Sequence, residues 1–590
     1  MAERTIPGTL GDTLVTFTIL SNGTQIPAEL EVLSIYVTKE INRVASLKMM
    51  IVDGDSATQD FEVSNTDLFI PGSEIEVKAG YGSQEKTIFK GIVVKNNISI
   101  KKSGASYLTI ECKDKAVKMT VGRKDKLFEE KKDSALIEEI IGGYSLSSDV
   151  DATTVTHAEV VQFHVTDWDF VVSRAEVNGL LVSTDDGKMV VKKPDLSGSA
   201  VLSVVYGDTI LEFEGEVDAS SQYAAVKSTS WDYKSQALLE KTGKAPSYDG
   251  AGNLTGKKLA DVVGLSELEL RHSGQVEDSE LKAWADAQML KSRLAKVRGR
   301  VKFQGCADVK PGDMIELDGL GDRFNGNVFV SGVRHEVREG NWLTDVQFGL
   351  SPKWFIAANP DVNDSPATGL IPAVKGLQIG VVSQLQEDPN GENRILVKLP
   401  IVDASSEGIW ARLSTLYAGA ERGSYFLPEI GDEVIIGFLN DDPRDAIIIG
   451  AVHSSANPAP LEATDDNFIK GFVTKSEIKF LFDDEKSIVT LETPGGNKMV
   501  VDDDEQAITL EDQHGNKIQM NADGITIDSA KDIVLKAAGK LTQEASQDAS
   551  IEGMNVSLKA SAQFKAEGSA GAEVSSSGQA VLKGAMVMIN

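Results

Sequence analysis

Cysteine is almost absent from this sequence of 590 residues, which contains only Cys112 and Cys306. They form no CxxC pair, so the sequence has neither the disulfide framework of a small secreted domain nor the cysteine spacing of a zinc site. Histidine is scarce too, and none of the six has the HExxH or HxxxH spacing of a zinc hydrolase. We therefore predict no metal site and no cofactor.

Positive charge is also in short supply. Lys and Arg total 59 against 89 Asp and Glu, which leaves a net charge of −30. Such a surface repels phosphate backbones, so no nucleic-acid partner is predicted. No apolar run approaches the ~18 residues of a membrane span, and Glu3, Arg4 and Asp12 interrupt the stretch that a signal peptide needs apolar. These absences predict cytoplasmic synthesis without a signal peptide.

The usual signatures of catalysis are missing as well. There is no Ser or Cys nucleophile beside a His, no evident carboxylate pair and no phosphate-binding glycine loop. His157 and His164 lie in a β-rich stretch and are predicted to be structural. The acidic runs 502–505 and 441–445 join strands, where solvated charge is more usual than a bound cation. The protein is predicted not to be an enzyme, although a hydrolase hidden in the N-terminal half remains an alternative.

What the sequence does contain is β structure, in a chain long enough for three or four domains at roughly 100 to 200 residues each. Short strand-like runs fill the chain up to about residue 360, where we predict three helices: one after Asp133, one from Thr166 to Gly179 and one over about 278–297. A connector rich in Pro and Gly follows at 365–376. The next segment holds five strand-like runs, which predict a small five-stranded barrel.

The C-terminal part repeats itself. VTLETPGGNKMVV begins at Val489 and ITLEDQHGNKIQM begins at Ile508, and both read as strand, Gly-Asn turn, strand. From Ile525 onward, pairs of apolar residues recur every eight positions, with one residue lost before Val556. Side chains eight residues apart on an α-helix point about 80° apart, so this period indicates strands and turns.

Such short strands cannot bury their aliphatic residues within one chain. Burial recovers roughly 1.5–3 kcal/mol for each Val, Leu or Ile, which favours a symmetric oligomer, most simply three chains wound into a triangular β-prism. A disordered tail rich in Ser and Ala is the alternative, but disorder does not require apolar pairs in register. The predicted trimer core of this prism consists of Ile525, Ile527, Ile533, Leu535, Leu541, Ile551, Val556, Leu558, Phe564, Val574 and Leu582.

The last residues are apolar and would leave an uncovered strand edge at the end of the prism. Such an end is expected to be capped by another protein, although a last turn that simply frays in water is the alternative. The predicted docking surface for this cap consists of Leu582, Met586, Val587, Met588 and Ile589.

Several segments resemble the VgrG spike proteins of contractile injection systems, which are similar to a fusion of the phage T4 baseplate hub and tail-spike proteins. The segment 166–182 resembles their hub, and 311–319 with 325–337 resembles their second barrel. The most specific stretch, 409–452, resembles their oligonucleotide/oligosaccharide-binding-like (OB-like) barrel. The repeats and the eight-residue period resemble their trimeric needle. The lysozyme domain that some phage spikes carry between barrel and needle has no room here.

The resemblance implies a mainly β fold with an α+β hub. The implied divisions are a hub with two related β-barrels and packed helices at 1–364, a linker at 365–376, a five-stranded OB-like barrel at 377–455, a second linker at 456–475, and an intertwined trimeric β-helix at 476–590.

The implied function is that of a homotrimeric spike at the tip of a contractile injection machine, which joins the inner tube to a membrane-puncturing needle. Implied partners are inner-tube and baseplate proteins, a PAAR-type tip protein, effectors bound through adaptors, and transiently the target membrane. The assembled particle would be secreted or fired from the cell. A phage tail hub and a carbohydrate-binding adhesin with the same needle are the alternatives. The expected lack of a fused effector favours either an extracellular phage-tail-like particle over a type VI secretion apparatus, or cargo that is bound by separate adaptors.

Overall fold

The computed structural model describes residues 14–589, and the chain divides into two compact units, one ending at Gly450 and one beginning at Ala451. The N-terminal stretch on which the prediction of no signal peptide rests lies mostly outside the described residues. Strands dominate both units, which confirms the predicted fold class. In the described part of the chain, no helix is both long and apolar enough to cross a membrane.

The N-terminal region of the first unit is built mainly from strands. They are β1 (Val15–Ser21), β2 (Thr24–Gln25), β3 (Val32–Glu40), β4 (Ser46–Val52), β5 (Glu74–Tyr81), β6 (Gln84–Ile100), β7 (Ser106–Lys113), β8 (Arg123–Lys132), β9 (Ser147–Val150), β10 (Thr156–Thr166), β11 (Leu181–Asp185), β12 (Lys188–Lys192), β13 (Leu202–Val205), β14 (Glu212–Val217), β15 (Val226–Asp232), β16 (Ala237–Thr242), β17 (Leu268–His272), β18 (Val297–Gln304), β19 (Met314–Asp318), β20 (Gly326–Arg338) and β21 (Asn341–Phe348).

Thirteen of these strands form one sheet that covers two separate apolar cores. The strand order is β14-β18-β21-β20-β3-β4-β7-β6-β5-β1-β2, with β19 beside β20 and β13 beside β19. Residues such as Met49 and Phe89 fill the first core, and Phe303 and Val346 fill the second. The sheet passes from one core to the other where Arg338 of β20 pairs with Ser34 of β3. The two related barrels implied by the resemblance remain a prediction.

The described residues also form six α-helices: α1 (Asp133–Gly142), α2 (Asp167–Val177), α3 (Gly256–Val263), α4 (Asp278–Leu294), α5 (Phe355–Ala358) and α6 (Pro400–Asp403). The three predicted helices correspond to α1, α2 and α4. The Thr166 hydroxyl accepts a hydrogen bond from the Asp169 amide over 3.1 Å, so α2 begins with the cap that its sequence indicates. The sequence did not indicate α3, because its eight residues are too few to show a helical period.

The five strand-like runs after residue 376 form the closed barrel that was predicted. Its strands are β22 (Gln378–Gln384), β23 (Ile395–Lys398), β24 (Ile409–Leu413), β27 (Glu433–Phe438) and β28 (Ala446–Ala451), in the order β22-β23-β24-β28-β27. A two-stranded hairpin, β25 (Ala418–Gly419) and β26 (Arg422–Gly423), lies in the connection after β24. Fully buried Val397, Ala411 and Val434 fill the interior.

The second unit begins with seven antiparallel strands of five residues that pair in sequence order: β29 (Ile469–Val473), β30 (Lys479–Asp483), β31 (Ile488–Glu492), β32 (Lys498–Asp502), β33 (Ala507–Glu511), β34 (Lys517–Asn521) and β35 (Gly524–Asp528). The two repeated segments are the hairpins β31–β32 and β33–β34, as predicted. Strand β29 lies inside the segment predicted as a linker, because the run IKGFV is too short to reveal its pairing with β30.

Candidate functional site

The sheet of the second unit has an apolar face, which results from the register in which its neighbouring strands pair. Directly opposed residues of antiparallel strands share a face, as do residues two apart on one strand. Phe480 opposes Leu491, and Leu491 opposes Met499 on the next strand. The same pairing continues to β35. The apolar face consists of Phe480, Phe482, Val489, Leu491, Met499, Val501, Ile508, Leu510, Ile518, Met520, Ile525 and Ile527.

This apolar face is not covered within the chain. Phe480 is 40% exposed, Leu491 45% and Ile525 72%. The rings of Phe480 and Phe482 meet edge to face with centroids 4.9 Å apart, so these two side chains pack on each other while both stay open to solvent. A continuous apolar surface of this extent is typical of an interaction site.

The opposite face of the same sheet carries a column of alternating charge. The residues opposed in turn are Lys479, Glu492, Lys498, Glu511, Lys517 and Asp528. Opposite charges directly across a strand pair contribute roughly 0.2–1 kcal/mol each, and Lys479 Nζ lies 3.8 Å from Glu492 Oε2. A slip of one residue would destroy this pattern. The charges therefore favour the register that puts most of the aliphatic residues on the other face, although Leu481, Ile488 and Val500 share the charged face.

Beyond β35 the chain bends at intervals of eight residues. The bends fall at 530–531, 538–539, 546–547, 554, 561–562, 569–570, 577–578 and 585–586. One interval is shorter by a residue, between 547 and 554, where the sequence also loses a residue from its period. Over 529–589 no strand pairs within the chain. Backbone groups that must be satisfied in a packed structure are therefore left for other chains or water.

The predicted core residues of the needle are all more than half exposed in the single chain. Exposure ranges from 53% at Val556 to 88% at Val574. The predicted tip-docking residues are equally open, with Met588 83% and Ile589 84% exposed. One chain therefore shelters none of them, and their roles in a trimer and in tip docking remain predictions.

Sequence reasoning missed most of the apolar face. Only Ile525 and Ile527 among its twelve residues were predicted, because the prediction rested on the eight-residue period, which begins at Ile525. The other ten alternate with polar residues inside the repeats, as in Ile508 and Leu510. That period of two is the signal of a strand with one apolar face, and it could have identified them.

The hub contains a buried ionic cluster around Asp133. Its carboxylate lies 3.0 Å from His157 Nε2, accepts a bond of 2.6 Å from Arg174 Nε and one of 2.9 Å from Asn178 Nδ2, and Arg174 also binds Glu280 over 3.0 Å. Burial opposes ionisation of Asp133, but these donors outweigh it and hold its pKa below the usual range. The cluster ties α1, α2, α4 and β10 together, which supports the interpretation of His157 as structural.

The two acidic runs lie where solvated or paired charge was predicted. The run 502–505 turns between β32 and β33, and in the run 441–445 Asp442 pairs with Arg444. His164 lies 3.8 Å from Asp125, and His514 lies in the turn between β33 and β34. Among the described residues, no three His, Cys, Asp or Glu side chains are grouped as a metal site would require.

His335 predicts a pH dependence of hub stability. Burial, with a smaller contribution from Lys39, lowers the pKa of His335 to about 3. The unfolded chain takes up this proton below about pH 6.5, whereas the folded hub does not until about pH 3. The contribution of neutral His335 to the free energy of unfolding is therefore fully present above pH 6.5 and is lost on acidification, by at most about 1.4 kcal/mol per pH unit. Urea unfolding at pH 7, 6, 5 and 4 should show this fall in the free energy of unfolding.

The matched variants for this test are His335→Gln and His272→Gln. His335→Gln should flatten the acid dependence, whereas His272→Gln, at an exposed position, should leave it unchanged. Tryptophan fluorescence reports on the first unit alone, since all six tryptophans precede Gly450. An acid dependence that persists unchanged in His335→Gln would contradict the assignment.

Comparison with models of known families shows to which family this chain belongs. A family model described as the Alg8 N-terminal domain matches residues 11–339, which is more than half of the chain. The chain belongs to the Alg8 N-terminal domain family. Two later segments of the chain match two further models. The type VI secretion system/phage-baseplate injector OB domain covers 378–453, and the phage baseplate V C-terminal trimerisation domain covers 488–590.

Individual relatives of this Alg8-family chain are spike proteins. It is 30% identical over 201 residues to the type VI secretion system spike protein VgrG1b of Pseudomonas aeruginosa, covering 32% of this chain and 26% of that protein. It is 31% identical over 178 residues to VgrG1c of the same organism, covering 28% and 24%. The chain thus spans about a quarter of the length of these relatives. The predicted relationship to VgrG spike proteins is confirmed.

A solved structure with a similar arrangement is the tail protein from Neisseria meningitidis MC58. It has 14% sequence identity and a TM-score of 0.44, and the likeness covers 59% of this chain and 99% of that protein.

Proposed function

We propose that this chain forms a homotrimeric spike at the tip of a contractile injection machine, where it joins the inner tube to a rigid needle. The observation that carries the proposal is the uncovered apolar face of β30–β35, which continues into the exposed aliphatic residues of 529–589. Both lie within the segment that matches a trimerisation domain, apart from β30. The role is structural.

Three copies suit this surface. Each sheet has one apolar and one charged face, so three sheets can close a prism with all the apolar faces inside and the charged columns in water. The eight-residue turns then continue the same axis, and strands of neighbouring chains supply the backbone partners that one chain lacks. The proposed needle core consists of the eleven predicted residues together with the apolar face.

Charge distribution supports parallel packing of identical chains. Residues 529–590 contain six Lys and six Asp or Glu, so this segment carries no net charge although the whole chain carries −30. Three copies placed side by side around an axis would repel one another if each carried a large charge of one sign. The acidic surplus of the chain therefore lies entirely before residue 529.

The proposed partners follow from this position. Inner-tube and baseplate proteins would contact the hub, and effectors would bind through adaptors. A PAAR-type tip protein would cap the needle on Leu582, Met586, Val587, Met588 and Ile589, and the needle would touch the target membrane transiently. The protein would be made in the cytoplasm and leave the cell in the particle.

Assembly tests the proposal. The tagged chain, expressed with the tube, sheath and baseplate proteins encoded by the same source, is expected to sediment with tube and sheath as part of one particle. A matched chain that lacks 477–590 but keeps the hub and barrel should lose the needle without losing the tube contact. If the full chain sediments apart from tube and sheath but binds glycans, it is an adhesin and the proposal is wrong.

A further inference from the structure

The barrel presents an exposed apolar loop between β24 and β27, at 414–432. Leu416 is 94% exposed, Tyr425 82% and Ile430 65%. The loop is nevertheless held in shape at its base. Thr415 Oγ1 and Ser424 Oγ lie 2.6 Å apart, and the Ser424 amide donates to the Tyr417 carbonyl over 2.9 Å. An apolar loop held in one conformation loses little entropy when it packs against a partner.

A second apolar surface lies on the outside of the same barrel. Ile379 of β22 opposes Ile435 of β27, and both point away from the interior that Val434 and Ile436 fill. Ile449 of β28 extends over Gly437, where an added Cβ would lie only 2.9 Å from Ile449 Cδ1. Ile379 remains 44% exposed and Ile449 53%. The outer wall of a solvated barrel is normally polar, so this strand face indicates a contact.

These two surfaces are different patches of one domain, which is what a ring of copies requires. In a two-fold dimer one patch meets itself, whereas in a three-fold ring one patch of each copy meets a different patch of the next. An exposed loop and a separate strand face on one domain fit the second arrangement. We propose that, in the trimer, loop 414–432 of each copy packs on the outer β22–β27–β28 face of the next copy. This inference rests on the proposed homotrimer.

The covalent connection to the needle favours a second copy as the occupant. Only 17 residues, 452–468, separate the end of β28 from β29, and an extended chain of that length reaches at most about 60 Å. Once three needles are wound together, the three barrels share a small volume at an effective concentration of about millimolar. Apolar surfaces on tethered neighbours therefore meet before any free protein can compete.

Cysteine crosslinking between differently tagged chains tests the contact. One chain carries Leu416→Cys and one tag, and the other carries Ile379→Cys and a second tag, so a disulfide with both tags must join two copies. The native thiols interfere little, since burial raises the pKa of Cys112 to about 12 and also raises that of Cys306. The control pair is Leu416→Cys with Glu392→Cys, an exposed position on the β22–β23 turn.

The proposal predicts that mild oxidation gives at least about tenfold more two-tag covalent dimer with Ile379→Cys than with Glu392→Cys, because only the first pair is held together. Equal yields from both pairs, in particles from which each tag captures the other, would overturn the barrel contact and leave the trimer intact. If neither tag captures the other, the chains do not associate, and both the proposed homotrimer and the proposed barrel contact are wrong.

Discussion

A chain carrying Leu558→Asp is expected to lose its stable trimer. Leu558 is 67% exposed in the single chain, and in the proposed prism its three copies meet around one axis. Each substituted carboxylate would be taken out of water at an effective cost of several kcal/mol, beyond roughly 1.5–3 kcal/mol of lost apolar burial per chain. Mass photometry should show monomers where the unmodified chain gives trimers.

Ser557→Asp is the matched control for this variant. Successive residues of a strand point to opposite faces, so the neighbouring position should place the same charge in water. It is expected to keep the trimer and its thermal stability. Trimers of unchanged stability in Leu558→Asp would contradict the assignment of Leu558 to the needle core. Equal losses of trimer stability in both variants would show that the added charge, and not the burial of the substituted position, destabilises the trimer.

A chain that lacks 585–590 is expected to lose its tip protein while remaining trimeric. Met588 and Ile589 are more than four-fifths exposed, and the eight-residue turns before them stay intact. Loss of four apolar side chains from a contact, at roughly 1.5–3 kcal/mol each, removes far more than the 1.4 kcal/mol of a tenfold change in affinity. Co-purification of a PAAR-type protein from the same source should fall below detection.

Lys583→Ala is the control for this deletion, because it alters the same turn without removing an apolar residue. Capture of the tip protein should survive it. If the tip protein still co-purifies with the shortened chain at the normal ratio, the docking surface lies elsewhere and the last residues are only a fraying turn.

Local signals in the sequence predicted local structure well. The Thr166 cap located α2, and five runs bounded by turns gave the closed barrel. The thirteen-stranded sheet could not be predicted, because β3 and β20 pair across about 300 residues and nothing in either strand specifies the other. The Asp133 cluster escaped for the same reason, since Glu280 lies 106 positions from Arg174.

The candidate surface was predicted in part. The eight-residue period located the aliphatic residues of 529–589, and the bends of the chain follow that period even at its one irregular step. The apolar face of β30–β35 became evident only from the pairing register, which aligns short alternating runs from six strands into one surface. Alternation within five residues is common, whereas its continuation across neighbours is a property of the fold.

The most direct test of the account is the mass of the full-length chain in solution, measured by sedimentation equilibrium at low concentration. Because the aliphatic residues can be buried only between copies of the chain, we expect a single species of about 190 kDa, three times the 63.3 kDa of one chain. A folded species of 63.3 kDa, with the C-terminal segment readily digested by protease, would contradict it.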